Sequence, residues 1–468
     1  MEKTARRSIF ARREIDMTQG SITSNLLKFA LPLLLGNLFQ QLYNMVDLWV
    51  IGQTGNNDAY SAVGSVGPII NILIGLFSGF ASGAGVIISQ YYGAKNEKKV
   101  NEVTHTAMSL TFIMVVVFTI VGVAISPLLL DLMLNTHEEV STVYPYAKTY
   151  LIIYFAGVAG LLVYNMGAGI LRAIGDSARP FYYLVAAAIT NIVLDLAFVF
   201  IFDMGVAGVA LATVIAQLVS ATLTVVELMR TKSCVKFSFK KLNLNLEIIK
   251  KIGIIGFPAG LQMALTAFSN VFVQSYIAGV NGDQTLNLSG WTSYSKIDQF
   301  IFLPMQSISL AATTFVGQNL GNGDIKRAKK GTYTAYFMAT CITVFLIVVV
   351  MIFAPYLAAI FNSDEGVVYY AVKLLKALTP FYIFCCVNQV FSASLRGAGN
   401  TTAPMIIMLT TFVGFRQIYL FVVSNFISNE LLPVAFGYPA GWFLCCVTTL
   451  IYYKKVGFKR AKILTTEK

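Results

Sequence analysis

The chain has 468 residues, of which 56% are hydrophobic and only 12% are charged, and its formal net charge is +12. Soluble domains carry about 25% charged residues, so this composition excludes a water-soluble fold. The positive net charge alone would also fit a nucleic-acid-binding protein, but the placement of the basic residues along the chain argues against that function.

Hydrophobic runs of roughly 20 to 30 residues recur along the whole chain, and each is long enough to cross a hydrocarbon layer of about 30 Å at 1.5 Å per residue. We therefore predict an all-α polytopic membrane protein with about twelve transmembrane helices. The predicted spans are 24–51, 61–92, 103–128, 141–170, 179–202, 206–230, 251–280, 292–320, 331–359, 367–395, 403–428 and 433–453.

The first hydrophobic run is too long for the core of a signal peptide, and no small-residue cleavage site follows it, so we expect it to be a retained helix. The six cysteines lie in or beside apolar segments and lack the spacing of a metal site or a secreted disulfide framework. We expect them to pack as small apolar residues.

The basic residues predict the orientation of the chain, because Lys and Arg accumulate in short cytoplasmic loops. Of the 34 Lys and Arg residues, 29 lie in the N-terminus, in alternate loops, at Arg396 or in the C-terminal tail, all on one side of the predicted topology. The other five are Lys148, Lys296, Lys373, Lys376 and Arg416. Both termini are then predicted to be cytoplasmic, and the basic loops are explained by topology and anionic lipid without nucleic acid.

Three motifs of the first half recur in the second half at nearly constant separation. Leu171-Arg172-Ala173-Ile174-Gly175-Asp176 with Pro180 matches Leu395-Arg396-Gly397-Ala398-Gly399-Asn400 with Pro404, Pro32 with Asn44 matches Pro258 with Asn270, and Gln90 with Gly93 matches Gln318 with Gly321. Six spans separate equivalent positions, so the pattern predicts two parallel six-helix repeats with a substrate site between them. The predicted division is an N-terminal lobe at 1–230, a cytoplasmic linker at 231–248, and a C-terminal lobe with a basic tail at 249–468.

These residues carry a resemblance to a known family. The early helix with Pro32, Gln40-Gln41-Leu42-Tyr43-Asn44-Met45-Val46-Asp47 and Gly52, together with the paired Leu-Arg-x-x-Gly-[Asp/Asn] loops, resembles the bacterial multidrug and toxic compound extrusion (MATE) family of exporters. The resemblance implies two lobes in a V around a central cavity. It also implies export of drug-like, often cationic, compounds against an inward flux of Na⁺ or H⁺.

Ionisable groups inside membrane spans are rare and are functional by default. Asp47 lies near the outer end of the first predicted span, and Asp195 lies about seven residues from the outer end of the fifth, roughly 10 Å deep. Asn191 and Asp195 are spaced i, i+4 and project from one helical face. Two carboxylates with amide and hydroxyl oxygens suit a small hard cation, and two close carboxylates also favour retaining a proton. Either Na⁺ or H⁺ could therefore drive transport.

The resemblance adds a cation site in the N-terminal lobe of the family, which Asp47, Asn191, Asp195 and Thr213 match residue by residue. The alternative is that Asp47 caps a helix end and that neighbouring Asn or Tyr groups satisfy Asp195. In the C-terminal lobe the chain has Thr266 where one branch of the family has a glutamate, so a second ion site of that type is not expected. Predicted helix 8 instead carries Lys296 and Asp298, and predicted helix 11 carries Arg416. These opposite charges could pair across the lobe interior, either functionally or only to hold helices together.

Further polar residues in the spans could line a substrate cavity, although interhelical hydrogen bonding would explain many of them equally well. This set comprises Gln40, Tyr43, Asn44, Asn71, Tyr164, Asn165, Gln262, Asn270, Asp298, Asn388 and Arg416. Gly75, Gly79 and Gly83 repeat every four residues and predict close helix packing. His105 and His137 lie near loop ends, where we expect them to be solvated.

The function classes can now be compared. An enzyme is not expected, because the chain has no HExxH helix, no Walker-type loop and only two separated histidines. The prediction is a cation-coupled antiporter of the bacterial inner membrane that exports small organic compounds by alternating access, works as a monomer, and needs no cofactor beyond its coupling ion. The alternative is a flippase for a lipid-linked saccharide or other amphipathic lipid of the same wider superfamily.

Overall fold

The computed structural model describes residues 14–134 and 142–460, and in these residues the chain is almost entirely helical. We number twelve spans in chain order. They are α1 (Ile22–Gly52), α2 (Asn57–Gly93), α3 (Glu97–Leu134), α4 (Val143–Ala156 with Ala159–Ala173), α5 (Ala178–Ile201), α6 (Gly205–Arg230), α7 (Leu246–Ala278), α8 (Gln284–Gly321), α9 (Ile325–Phe361), α10 (Glu365–Gly397), α11 (Thr402–Ile427) and α12 (Leu431–Lys455).

Eleven of these helices in the described part are long and apolar enough to cross a membrane, and the two pieces of α4 form a twelfth span bent by 50°. The predicted all-α polytopic fold is therefore confirmed. The bend in α4 lies at Gly157 and Val158, and α10 is broken at the equivalent place by a 3₁₀ turn at Thr379–Phe381 that contains Pro380. Glycine and proline weaken the helical hydrogen-bond ladder at both points.

The repeated loops adopt matching conformations. Gly175 and Gly399, which occupy equivalent positions, have φ angles of +92° and +78°, a region that suits glycine. The next residue in each loop caps the following helix, because Asp176 Oδ1 accepts the Arg179 N–H at 3.1 Å and Asn400 Oδ1 accepts the Ala403 N–H at 3.4 Å. The shared Leu-Arg-x-x-Gly-[Asp/Asn] sequence therefore encodes one turn used twice.

The structure has two main apolar cores, one in each half of the chain. The start of the first helix of each half packs into the core of the other half. One core is built from α2 to α6 and includes Ile248, Ile252 and Ile255 at the start of α7. The other is built mostly from α8 to α12 and includes Leu26 and Phe29 at the start of α1. Each lobe is thus held to the other at the end of the bundle that carries the basic loops, which we call the basic end.

The glycine stripe of α2 packs as predicted, against α7. A Cβ atom placed on Gly256 would lie 2.8 Å from both the Gly79 carbonyl oxygen and the Phe80 Cα, which is closer than packed atoms tolerate. The two backbones can approach this closely only because neither residue has a side chain.

One expectation from the sequence was wrong. His105 is not solvated but only 3% exposed, and its Nε2 accepts the Ser238 N–H of the linker at 3.1 Å. The polar linker backbone folds over the end of α3 and needs a buried acceptor there, which the imidazole supplies. His137 lies outside the described residues.

Candidate functional site

A buried cluster of polar side chains lies inside the first lobe. Asp47 comes from α1, Asn191 and Asp195 from α5, and Thr213 from α6, and none is more than 5% exposed. Thr213 Oγ1 donates a hydrogen bond to Asp47 Oδ2 at 3.4 Å. The Asp195 carboxyl and the Asn191 amide are neighbours of the Asp47 carboxyl. The fold therefore brings together the four residues that the sequence singled out.

Most of the polar atoms in this cluster lack a well-aligned hydrogen bond. Both oxygens of Asp195, both amide atoms of Asn191 and Oδ1 of Asp47 are buried without a partner in the described residues. Buried polar groups in proteins are nearly always hydrogen-bonded, and an unsatisfied one costs about 1–3 kcal/mol. The cluster has the donor set of a cation site, because a proton or a small oxygen-seeking cation would satisfy these oxygens.

Residues of α4 complete the surroundings of the cluster, and the sequence analysis did not identify them. Tyr150 and Tyr154 are buried and stack with ring centroids 6.2 Å apart, and the Gln217 Nε2 of α6 lies 3.5 Å from the Tyr154 hydroxyl oxygen. Their i, i+4 spacing in a predicted span was the available signal. Tyr150, Tyr154 and Gln217 line the same cavity as Asp47 and Thr213.

A central cavity of about 980 Å³ lies between the two lobes, with walls from both of them. Of the residues predicted to line a substrate cavity, six line this central cavity: Gln40, Tyr43, Asn44, Asn71, Asn165 and Gln262. Asp47 and Thr213 are part of the same wall, so the buried cluster borders the space where a substrate could bind. The cavity also contains three cationic side chains, Arg172, Lys296 and Arg396.

A smaller cavity of about 100 Å³ continues into the first lobe. Tyr164 and Asn191 line it, together with Thr213 and Tyr43, which belong to the walls of both cavities. The cluster therefore borders both cavities, because Asp47 lines the central cavity and Asn191 lines the smaller one.

The structure does not place four of the predicted cavity residues on these walls. Asn270 and Arg416 bond to each other, because Arg416 Nη2 donates to the Asn270 Oδ1 at 3.0 Å and to the Ser269 Oγ at 2.6 Å. Asn388 is buried and donates to the Trp442 carbonyl at 3.2 Å. Asp298 accepts a hydrogen bond from the Tyr382 hydroxyl. Interhelical bonding, the alternative stated from the sequence, describes all four in this structure.

The suggested ion pairing in the C-terminal lobe is also not observed. Among the described residues, neither Lys296 nor Arg416 forms a salt bridge with Asp298. Arg416 instead packs over the Tyr438 ring with its guanidinium carbon 4.7 Å from the centroid. Hydroxyl, amide and aromatic partners surround the guanidinium without a carboxylate, although its Nε has no hydrogen-bond partner in the described residues. Lys296 lies at the cavity wall.

Comparison with known proteins gives the family. The MatE family model matches residues 32–197 and 258–422, one match in each half of the chain. The probable multidrug resistance protein YoeA of Bacillus subtilis is 28% identical over 447 residues, covering 94% of this chain and 95% of the relative. The probable multidrug resistance protein YpnP of the same organism is 29% identical over 452 residues, covering 96% and 99%.

Solved structures share the fold. One is an outward-facing multidrug resistance MATE family transporter of the MOP superfamily, which aligns with a TM-score of 0.88 at 21% identity over 98% of this chain and 99% of that one. Another is a MOP superfamily transporter from Pyrococcus furiosus, described as having a binding pocket of reverse polarity, with a TM-score of 0.89 at 22% identity over 96% and 99% of the two chains. The chain therefore belongs to the MATE family of multidrug efflux transporters, which are membrane transporters and not enzymes.

Proposed function

We propose that the protein is an antiporter that exports drug-like organic compounds carrying a basic group and takes up Na⁺ or H⁺ in exchange. The observation that carries this proposal is the buried pair of carboxyl groups, Asp47 and Asp195, which have oxygens without a hydrogen-bond partner in the described residues. Asp47 and Thr213 of this cluster line the central cavity. A transporter with a purely structural polar cluster would be expected to satisfy these atoms internally.

The site chemistry suits either coupling ion. Carboxylate, amide and hydroxyl oxygens from Asp47, Asp195, Asn191 and Thr213 are hard ligands of the kind that Na⁺ prefers. Two neighbouring carboxyl groups in a buried site also favour a shared proton, because two adjacent negative charges repel each other. Both ions would neutralise negative charge at the same place, so the coupling argument is the same for each.

Coupling follows from that neutralisation. With the carboxyl pair ionised, the wall formed by Asp47 and Thr213 attracts the basic group of a substrate. Once the pair holds an inward-moving cation, the attraction falls and the substrate is released. By thermodynamic linkage the ion must weaken substrate binding by the same factor as the substrate weakens ion binding, with typical couplings of about 1–3 kcal/mol.

The test is export from proteoliposomes under Na⁺ and pH gradients imposed separately. We expect one gradient to drive accumulation of a cationic dye, and we expect Asp47→Asn and Asp195→Asn to abolish that accumulation, because a neutral amide cannot exchange charge with the ion. Asp203→Asn is the control, since Asp203 is exposed in the same lobe and its positive φ of 52° is one that Asn adopts readily. Full gradient-driven export by both buried-site variants would refute the proposal.

The proposal includes the setting of the transporter. We propose that it lies in a bacterial cytoplasmic membrane with both termini in the cytoplasm, because 29 of its 34 basic residues lie on one side of the topology. The proposed ion site and cavity are built from a single chain, which supports function as a monomer.

A further inference from the structure

The linker between α6 and α7 is bonded along the side of α3. Asn101 Nδ2 of α3 donates to the carbonyl oxygens of Cys234 and Lys236 at 3.0 and 2.9 Å. One turn further along α3, His105 Nε2 accepts the Ser238 N–H at 3.1 Å. These bonds hold the linker backbone in one place on the first lobe, so the linker presents a fixed surface and is not a loose tether.

That surface carries large apolar side chains. Phe239, Leu242, Leu244 and Leu246 lie within a stretch of eight residues, and each is between 41% and 79% exposed. A stretch of exposed Leu and Phe is unfavourable in water, whereas the interface of a bilayer accepts apolar side chains at the level of the upper acyl chains. This composition therefore suits a position at the edge of the hydrocarbon layer.

The contacts of Phe239 place the linker beside a surface that faces lipid. The Phe239 ring stacks on Phe112 of α3, with ring centroids 6.1 Å apart. Phe112 belongs to the third predicted span, and its neighbours Ile113 and Val116 are exposed and do not line the central cavity. In a membrane-spanning helix such apolar side chains contact acyl chains. Phe239 therefore lies next to lipid-facing helix surface.

The start of α7 continues the same apolar surface into the membrane. Leu246, Ile254 and Phe257 are exposed at i, i+8 and i+11, a spacing that puts them on one face of the helix. Lys250 is exposed at i+4 on that face. The linker surface is thus continuous with the lipid-facing side of α7.

The linker surface is also positively charged. Five exposed lysines lie in it or beside it: Lys232, Lys236, Lys240, Lys241 and Lys250. Glu247 is the only acidic residue of this stretch, and it pairs with Lys251 at 2.7 Å. Within the described part of the chain none of the five lysines forms a salt bridge. Lysines beside apolar surface extend their ammonium groups to the polar interface, where anionic lipids supply negative charge.

We infer that the linker is a binding site for anionic phospholipids of the leaflet at the basic end. Its four exposed apolar side chains lie among the upper acyl chains, and Lys240 and Lys241 bind headgroup phosphates. None of these side chains lines the central cavity, so the lipid site is separate from the space between the lobes. Because the linker is bonded to α3 and leads into α7, a bound lipid contacts the first lobe and the first helix of the second.

Fluorescence quenching tests whether the linker contacts acyl chains. The Leu244→Cys variant, in a background lacking the native cysteines, is labelled with bimane and placed in nanodiscs whose lipids are brominated near the headgroup end of the acyl chain. We expect quenching comparable to that of a label on Phe257→Cys, which is exposed on α7, and little quenching of a label on Lys326→Cys, which is exposed at the start of α9. The inference fails if Leu244→Cys is quenched no more than Lys326→Cys, because the linker would then be covered by water or by protein.

The same label tests the class of lipid. In nanodiscs of phosphatidylcholine, brominated phosphatidylglycerol should quench Leu244→Cys as strongly as an about fivefold larger fraction of brominated phosphatidylcholine, because one lysine at an anionic surface contributes about that factor. Adding Lys240→Gln and Lys241→Gln should remove the preference. The matched control is Lys329→Gln with Lys330→Gln, which alters another adjacent, exposed pair at the basic end and should keep the preference. Equal quenching by the two lipids, a preference that survives the first pair of substitutions, or equal loss with both pairs would each overturn the inference.

Discussion

In the proposed ion site, Thr213 differs from the carboxyl groups because it supplies a neutral hydroxyl, which bonds to Asp47 at 3.4 Å, and the residue lines the cavity wall. We expect Thr213→Ala to raise the concentration of the driving ion needed for half-maximal export about fivefold, the effect of losing one oxygen ligand worth about 1 kcal/mol. Thr213→Ser keeps the hydroxyl and should stay within about twofold of wild type. Equal ion dependence of the Ala and Ser variants would show that the hydroxyl is not a ligand.

Residue-level reasoning from the sequence predicted some members of the buried polar cluster and missed its tyrosine neighbours for a physical reason. Asp47 and Asp195 stand out because charges in membrane spans are costly, and the helical period assigns Asn191 to the same face. Tyrosine is common in apolar helices, so the presence of Tyr150 in a span carried no signal. The direction in which it points depends on the bend at Gly157, which the sequence did not predict. Lys296 was visible as an intramembrane charge, but its lack of a partner depends on the packing of other helices.

At the scale of elements, the contact between α2 and α7 joins the two lobes through glycine. We expect Gly256→Ala to lower the melting temperature of the purified protein, because its Cβ would lie 2.8 Å from the Gly79 oxygen and the Phe80 Cα, and overpacking of this kind costs about 1–3 kcal/mol. The matched control is Gly253→Ala on the same helix, where a Cβ meets no atom within 4 Å. Equal melting temperatures of the two variants would contradict the close packing.

The elements themselves were predictable to different degrees. Hydrophobic length sufficed for the spans, and the repeated Leu-Arg-x-x-Gly sequence correctly indicated equivalent turns at Gly175 and Gly399. The π-helical turns in α11, at Leu409–Phe415 and Val423–Ile427, have no comparable sequence signal. A π-helical turn places one more residue in the turn than an α-helical turn does, but it needs no particular composition or hydropathy. Only the packed structure therefore reveals it.

At the scale of the whole molecule, the lobes are fastened at the basic end by side chains that reach backbone groups of the opposite repeat. Gln90 of α2 donates to the Gly397 carbonyl at 3.1 Å, and its repeat equivalent Gln318 donates to the Ala173 carbonyl at 2.8 Å. The repeat detected in the sequence thus becomes a nearly symmetric closure. It could not be deduced from the motifs alone, because the partners are main-chain atoms that carry no residue signal.

A short segment before α1, residues 15–20, reinforces this closure, and we call it the N-terminal strap. Its Ile15 N–H donates to the Gly175 carbonyl in the first repeat at 3.1 Å. Its Met17 carbonyl accepts from Asn319 Nδ2 in the second repeat at 3.0 Å, and Arg327 Nη2 donates to the Gln19 and Gly20 carbonyls at 2.9 Å each. The proposed exchange by alternating access requires the basic end to open in another state, and in that state these bonds would be broken.

Arg327→Ala should therefore shift the protein towards a state that is open at the basic end. The variant loses hydrogen bonds from a charged group, each worth about 1.5–3 kcal/mol, so the open population should rise about tenfold or more. Spin labels at Lys98 and Lys329, both exposed and in different lobes, report the change by pulsed electron resonance in a background lacking the native cysteines. We expect a longer distance to appear in Arg327→Ala but not in Lys326→Ala, which alters an exposed neighbour. Identical distance distributions in the wild-type protein and Arg327→Ala would show that the strap does not hold the basic end closed, and that the two glutamine contacts suffice.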